Sequence, residues 1–183
     1  PALEVSVHVD VGAALAERLD KGELDVAVIA GPASRSALTS VPLTHARFAW
    51  CAGPGVARGL QRMDAEAVQS HALVTLPQGS GVTHLIDDWL RQADARPARR
   101  LACNHWGAIV GLLAQGSGIG LLPEGWAQAL CERGVLQPLD SPVPLGSLGY
   151  ALHSRRDDLR PLVSMLHGMA AQHADFTAGS GAF

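Results

Sequence analysis

Three consecutive residues, Asn104, His105 and Trp106, have the chemistry to hold a small anion. They stand where a helical apolar pattern begins, because Trp106, Ile109, Val110, Leu112 and Leu113 recur at helical spacing. Asn is a favoured N-cap residue. The N–H groups of a first helical turn, at the positive end of the helix dipole, suit a carboxylate. His105 would donate a hydrogen bond, and Trp106 would stack on a ring or form an apolar wall. The plainer alternative has Asn104 only capping, His105 solvated and Trp106 in the core. A second group lies in "TLPQGSG", where Thr75, Gln78, Ser80 and Gly81 follow a short apolar strand and Ser80 is placed to cap the next helix. Two helix N-termini bordering one cleft favour an anion more than either alone. Otherwise this segment is a polar turn.

Other residues invite chemistry and do not sustain it. The cluster "GSGIG" follows a helical pattern and precedes the apolar run "IGLLP", the reverse of the strand–glycine–helix order of a dinucleotide loop. Gly116, Gly118 and Gly120 are therefore expected at a helix C-terminus, where glycine adopts a left-handed conformation cheaply. His8 with Asp10, His84 with Asp87 and Asp88, and His105 offer metal-type ligands, but there is no HExxH and no close histidine cluster. Ser80 and Ser117 both lack the spacing of a nucleophile elbow. No metal, cofactor or catalytic role is expected.

Composition narrows the class. The chain has 183 residues, 48% of them hydrophobic, which suffices for one domain or two small lobes. With a net charge of −3 and no basic run, direct nucleic-acid binding by this chain is not expected. Cys51, Cys103 and Cys131 are widely spaced and form no CxxC pair, so reduced thiols in a cytoplasmic setting are expected. No run is long enough for a membrane span, and no signal peptide is visible.

Elements alternate along the chain. Val5, Val7, Val9 and Val11 alternate as in a strand. A helix carrying Leu15 and Leu19 follows and stops at Gly22, and "LDVAVIAG" then reads as a strand buried on both faces. Together they predict a right-handed parallel crossover. Further strands are expected around Phe48 to Cys51, at 72–76, into Asn104, at "IGLLP", "GVLQPLD" and 147–155. Further helices are expected around 65–68, after Ser80, after Asn104, at "EGWAQALCERG" and after Asp158, the last with Leu162, Val163, Leu166 and Met169 facing inward. The class is α/β with mostly parallel sheets, and a cleft is expected at the carboxyl ends of the strands.

The segments "GELDVAVIAG", "VPL", "TLPQGSGVTHLIDDWL" and "CNHWGAIVGLLAQGSGIGLLPEGWA" resemble the effector-binding domain of LysR-type transcriptional regulators, over residues 1–173. The resemblance implies two Rossmann-like lobes, like type II periplasmic binding proteins, joined by two crossing strands near residues 48–51 and 150–153. Lobe I would comprise residues 1–50 and 154–175, lobe II residues 51–153, and 176–183 a flexible tail. The family's domain usually has another strand and helix before the segment matching "PALEVSVHV", and that strand's end contributes ligand contacts. The implied function is ligand sensing: a small effector, expected to bear a carboxylate, binds between the lobes and shifts the balance of their arrangements. The implied partners are further copies of the chain, a dimer or in the full-length protein a tetramer, and DNA only through a helix-turn-helix domain that this chain lacks. The candidate ligand contacts are Asn104, His105, Trp106, Thr75, Gln78, Ser80 and Gly81, with Val11 at the end of the first strand and His153 on the second crossing strand. Asp10 beside Val11 is read as a solvated turn residue, or else as a partner for a donor group. A solute-binding protein of a transporter, which shares this fold, is the alternative function.

Overall fold

The computed structural model describes residues 3–60 and 62–175, so the tail expected at 176–183 lies outside the described residues. In chain order the elements are α1 (Gly12–Asp20), β1 (Val26–Ala30), β2 (Leu38–Ala46), β3 (Phe48–Ala52), α2 (Pro54–Ala57), α3 (Ala65–Ser70), β4 (Leu73–Thr75), α4 (Gly81–Gln92), β5 (Arg100–Ala102), α5 (Trp106–Ala114), β6 (Ile119–Pro123), α6 (Glu124–Glu132), β7 (Gln137–Leu139), β8 (Leu148–Arg155) and α7 (Pro161–His173).

The strands form two sheets, in the orders β1-β8-β2 and β5-β4-β6-β3-β7. The chain crosses from the first to the second at Arg47, between β2 and β3, and returns through residues 140–147 into β8. In the first sheet both pairings are antiparallel, with Ala27 and Ser40 on either side of His153. In the second sheet only β4 with β5 and β4 with β6 are parallel. The expectation of mostly parallel sheets is therefore corrected. Alternation of helices and strands does not fix strand direction when the chain changes sheets between them.

The opening crossover also does not form. Residues 3–11 are not a strand, and Leu3, Val5, Val7 and Val9 are 58–86% exposed. Period-two alternation makes a strand only where a neighbouring ladder receives its N–H and C=O groups, and among the described residues none does. β1 is buried on one face rather than two, with Val28 on the other face 42% exposed. In α7 only Val163 is fully buried, while Leu162 and Met169 are exposed, because the helix meets β2 and β8 along a narrow line. Its start is held by charge: Arg160 Nη2 lies 2.6 Å from both Asp158 Oδ2 and Asp25 Oδ1. The Arg160 guanidinium holds the Asp158 carboxyl well down, at about 2.

Helix α4 forms as its pattern predicts, burying Leu85, Ile86, Trp89 and Leu90 on the second sheet. Trp89 meets Trp50 of β3 edge-to-face at 5.1 Å and donates Nε1–H to Ser141 Oγ at 2.9 Å. Such aromatic pairs contribute roughly 0.5–1.5 kcal/mol beyond area burial. On the other face of that sheet, α5 and α6 bury Ile109, Leu113, Ala127 and Leu130 around Cys51. The Cys51 thiol is pushed up to about 12 by burial, so it is an inert core group.

The glycine cluster divides into two roles. Gly116, at φ +76°, closes α5: its N–H bonds to Leu113 O and that of Ser117 to Leu112 O, a Schellman ending. Gly118 and Gly120 belong to the sheet and not to the helix end. A Cβ at Gly118 would stand 2.1 Å from the Ala72 carbonyl oxygen, and one at Gly120 would stand 2.7 Å from that of Val74.

These contacts generate a paired test. Gly118→Ala forces β6 away from β4 and is expected to lower unfolding free energy by about 1–3 kcal/mol. Gly111→Ala, in the exposed middle of α5 where a Cβ meets nothing within 4 Å, is expected to raise it by up to about 1 kcal/mol. Urea midpoints of the two variants check both signs.

Candidate functional site

The first turn of α5 is built one residue later than the sequence suggests. His105, not Asn104, is the N-cap: its Nδ1 accepts the Ala108 N–H at 3.3 Å. Nδ1 therefore carries the lone pair, and Nε2 is the ring's donor. The ring folds back over Gly107, where a Cβ would come within 3.0 Å of Cε1. This leaves Asn104 exposed and free of capping duty. Trp106 is half-buried and held edge-to-face by Trp126 of α6, with ring centroids 6.3 Å apart.

The turn between β4 and α4 forms as expected. Ser80 Oγ accepts the Val82 N–H at 3.2 Å. Gly79 takes the left-handed conformation at φ +85°. Thr83 Oγ1, buried beneath, shares its proton between the carbonyls of Leu76 and Pro77 at 3.0 and 2.9 Å. The start of α4 presses on the first sheet, since a Cβ on Gly81 would lie 2.8 Å from the Ala30 Cβ.

Between the two sheets is a cavity of about 520 Å3. Its wall takes the start of α1 with residues 9–11, the end of β1 with Gly31 to Ser34, Leu76, the start of α4, Asn104 and Trp106 before and in α5, and Tyr150 and His153 of β8. Of the predicted residues, Val11, Ser80, Gly81, Asn104, Trp106 and His153 share this wall. Thr75, Gln78 and His105 do not: Thr75 is buried behind it, Gln78 is exposed beside it and His105 is turned to its own helix. Asp10 is on the wall, with its Oδ1 accepting the Val11 N–H at 2.8 Å.

His153 is 2% exposed, and its Nε2 lies 3.1 Å from the Gly31 carbonyl oxygen. That contact makes Nε2 the protonated nitrogen. Burial lowers the His153 pKa, with the Gly31 and Ile29 carbonyls acting in the opposite direction. Tyr150 is likewise pushed up by burial, so both rings are uncharged polar groups.

The sequence reading missed Ser34, His84 and Tyr150. "GPAS" directly after β1 was a usable signal, being a Gly-Pro turn at a strand's carboxyl end. His84 and Tyr150 reach the wall only through packing, and no local pattern marks them. Among the described residues no group of three or more His, Cys, Asp or Glu side chains is placed to hold a metal. Asp87 and Asp88, the carboxylates grouped with His84 in the sequence, are paired with Arg100 and Arg91. No described helix is long and apolar enough to cross a membrane.

The buried imidazole sets a pH dependence. Its folded-state pKa is below the ordinary histidine value, so between the two the unfolded chain binds more protons and stability rises with pH. The contribution is complete above about pH 6.5 and is lost as pH falls towards the lowered value. Replacing His153→Gln is expected to flatten that part of the stability profile. Urea midpoints at about pH 5, 6 and 7 measure it, and an unchanged slope in the variant contradicts it.

The family model described as LysR substrate binding domain matches residues 1–175. No curated protein sequence matches the chain significantly. Among solved structures, the effector binding domain of QuiR in complex with shikimate is similar at a TM-score of 0.74 and 16% identity, over 95% of this chain and 80% of that one. The regulatory domain of CcmR from Synechocystis PCC6803 in complex with 2-PG is similar at 0.74 and 19% identity, over 92% and 82%. That of MetR from N. meningitidis, a LysR family regulator, is similar at 0.67 and 17%, over 85% and 75%. These likenesses show the two-lobed, periplasmic-binding-protein-like fold.

Proposed function

Since the chain belongs to the LysR substrate binding domain family, we propose that it senses a small carboxylate-bearing effector between its lobes. The observation that carries this is the convergence of two helix N-termini, those of α4 and α5, on one cavity of about 520 Å3. Cavities of about 300–1,000 Å3 suit small ligands. The first-turn N–H groups that the caps leave over, those of Gly81 in α4 and of Trp106 and Gly107 in α5, would receive the carboxylate. Two of the structural relatives hold small molecules, shikimate and 2-PG.

Asn104, Trp106, Ser80 and Gly81 would grip the effector from one lobe, and Val11 and His153 from the other. His105 acts through its cap, fixing the start of α5. The lobes would follow the boundaries already given, residues 1–50 with 154–175 and residues 51–153, except that β8 pairs along its length with β1 and β2 and so carries Tyr150 and His153 on the first lobe's sheet. An effector touching both lobes binds one arrangement better and raises its population. In a symmetric homodimer that shift would repack the subunit contact and reach DNA-binding domains elsewhere in the regulator, in the cytoplasm. The family match favours this reading over a transporter's solute-binding protein.

A thermal-shift screen of small carboxylates and aromatic acids tests it. A ligand at a hundred times its Kd stabilises the native state by about 2.7 kcal/mol. The shift is expected in the wild type and is lost or strongly reduced in both Asn104→Ala and Trp106→Ala. A hit of equal size in both variants places the site elsewhere.

A further inference from the structure

We propose that the effector carries a single negative charge, and that this cavity rejects dianions such as phosphomonoesters and dicarboxylates. The inference rests on the effector-binding reading above and specifies its ligand class. The chain has thirteen arginines and one lysine, yet none of them lines the cavity. The arginine closest in sequence to the wall, Arg35 beside Ser34, is turned to Asp20, with Nη1 2.9 Å from Oδ2. Among the described residues Asp10 is the wall's one carboxylate.

An anion here therefore meets no arginine or lysine, only backbone N–H groups and the polar side chains of Ser34, Ser80, His84, Asn104, Tyr150 and His153. One helix N-terminus supplies roughly half an elementary charge. Three helices start at the cavity, but α1 already has an anion beside its start: Asp10 Oδ1 accepts the N–H of Val11, the N-cap residue of α1. The starts of α4 and α5 remain, and together they match about one negative charge. A second charge would find no cation and would face Asp10 across a partly desolvated space. Trp106, Tyr150 and Val28 instead supply apolar and aromatic surface for an uncharged body.

The test compares matched pairs of probes differing by one negative charge: benzoate with phthalate, and phenylacetate with phenyl phosphate. Titrations are run at about pH 8, above the ordinary histidine value of about 6.5. The monoanion of each pair is expected to bind at least tenfold more tightly than its dianionic partner. Asn104→Arg, at an exposed wall position, is expected to raise dianion affinity at least tenfold. Arg35→Ala is expected to leave monoanion affinity unchanged. A dianion that binds wild type as tightly as its monoanionic match, and loses that binding in Trp106→Ala, overturns the charge assignment but leaves the cavity as the site. So does a tenfold loss of monoanion binding in Arg35→Ala, which would make Arg35 the counter-charge. Monoanion binding indifferent to both Trp106→Ala and Asn104→Arg overturns the cavity reading and the charge assignment together.

Discussion

The contact between Gly81 and Ala30 governs how the two halves of this molecule meet. A hypothetical Cβ on Gly81 would lie 2.8 Å from the Ala30 methyl carbon and 3.2 Å from Leu148 Cδ1. Backbone of one lobe therefore rests directly on a side chain of the other. Gly79 beside it, left-handed at φ +85°, brings the turn near Ala13 of α1. With no side chain intervening, the start of α4 is seated at the end of β1, and the cavity opens beside that seat. The cap by Ser80, the buried Thr83 hydroxyl under the turn and the Gly31–His153 bond all stiffen the same junction.

Around this junction the proposed recognition of charge falls to the backbone rather than to charged side chains. Helix starts are fixed dipoles whose position is set by the fold, so they need no flexible side chain to be ordered on binding. The His105 cap serves this arrangement. By using its ring to satisfy the Ala108 N–H, it fixes where α5 begins and leaves Asn104 and Trp106 at the wall. Trp126 then limits how Trp106 can turn.

What the sequence disclosed was mostly local. The Ser80 cap and the buried face of α4 depend on residues within a few turns of each other, and both form as their pattern requires. The α5 cap is displaced by one residue because it depends on the orientation of an imidazole, which residue type does not specify. Gly118 and Gly120 owe their roles to the carbonyls of Ala72 and Val74, at a strand distant in sequence, and the alternating valines before Val11 meet no strand among the described residues. The cavity was half legible: helix starts could be located from capping residues, but Ser34, His84 and Tyr150 join it by tertiary packing alone. The family resemblance placed Val11 and His153, which spacing by itself would not have singled out.

The tryptophans are divided between the two jobs of the molecule. All four are paired, Trp50 with Trp89 in the core of the second sheet and Trp106 with Trp126 beside the cavity. Each pair is near enough for its indole transitions to couple. The protein thus carries two separate optical signals, one reporting that the sheet is intact and the other reporting what stands against Trp106. A spectral change confined to the second pair distinguishes occupancy of the cavity from loss of structure, without any attached dye.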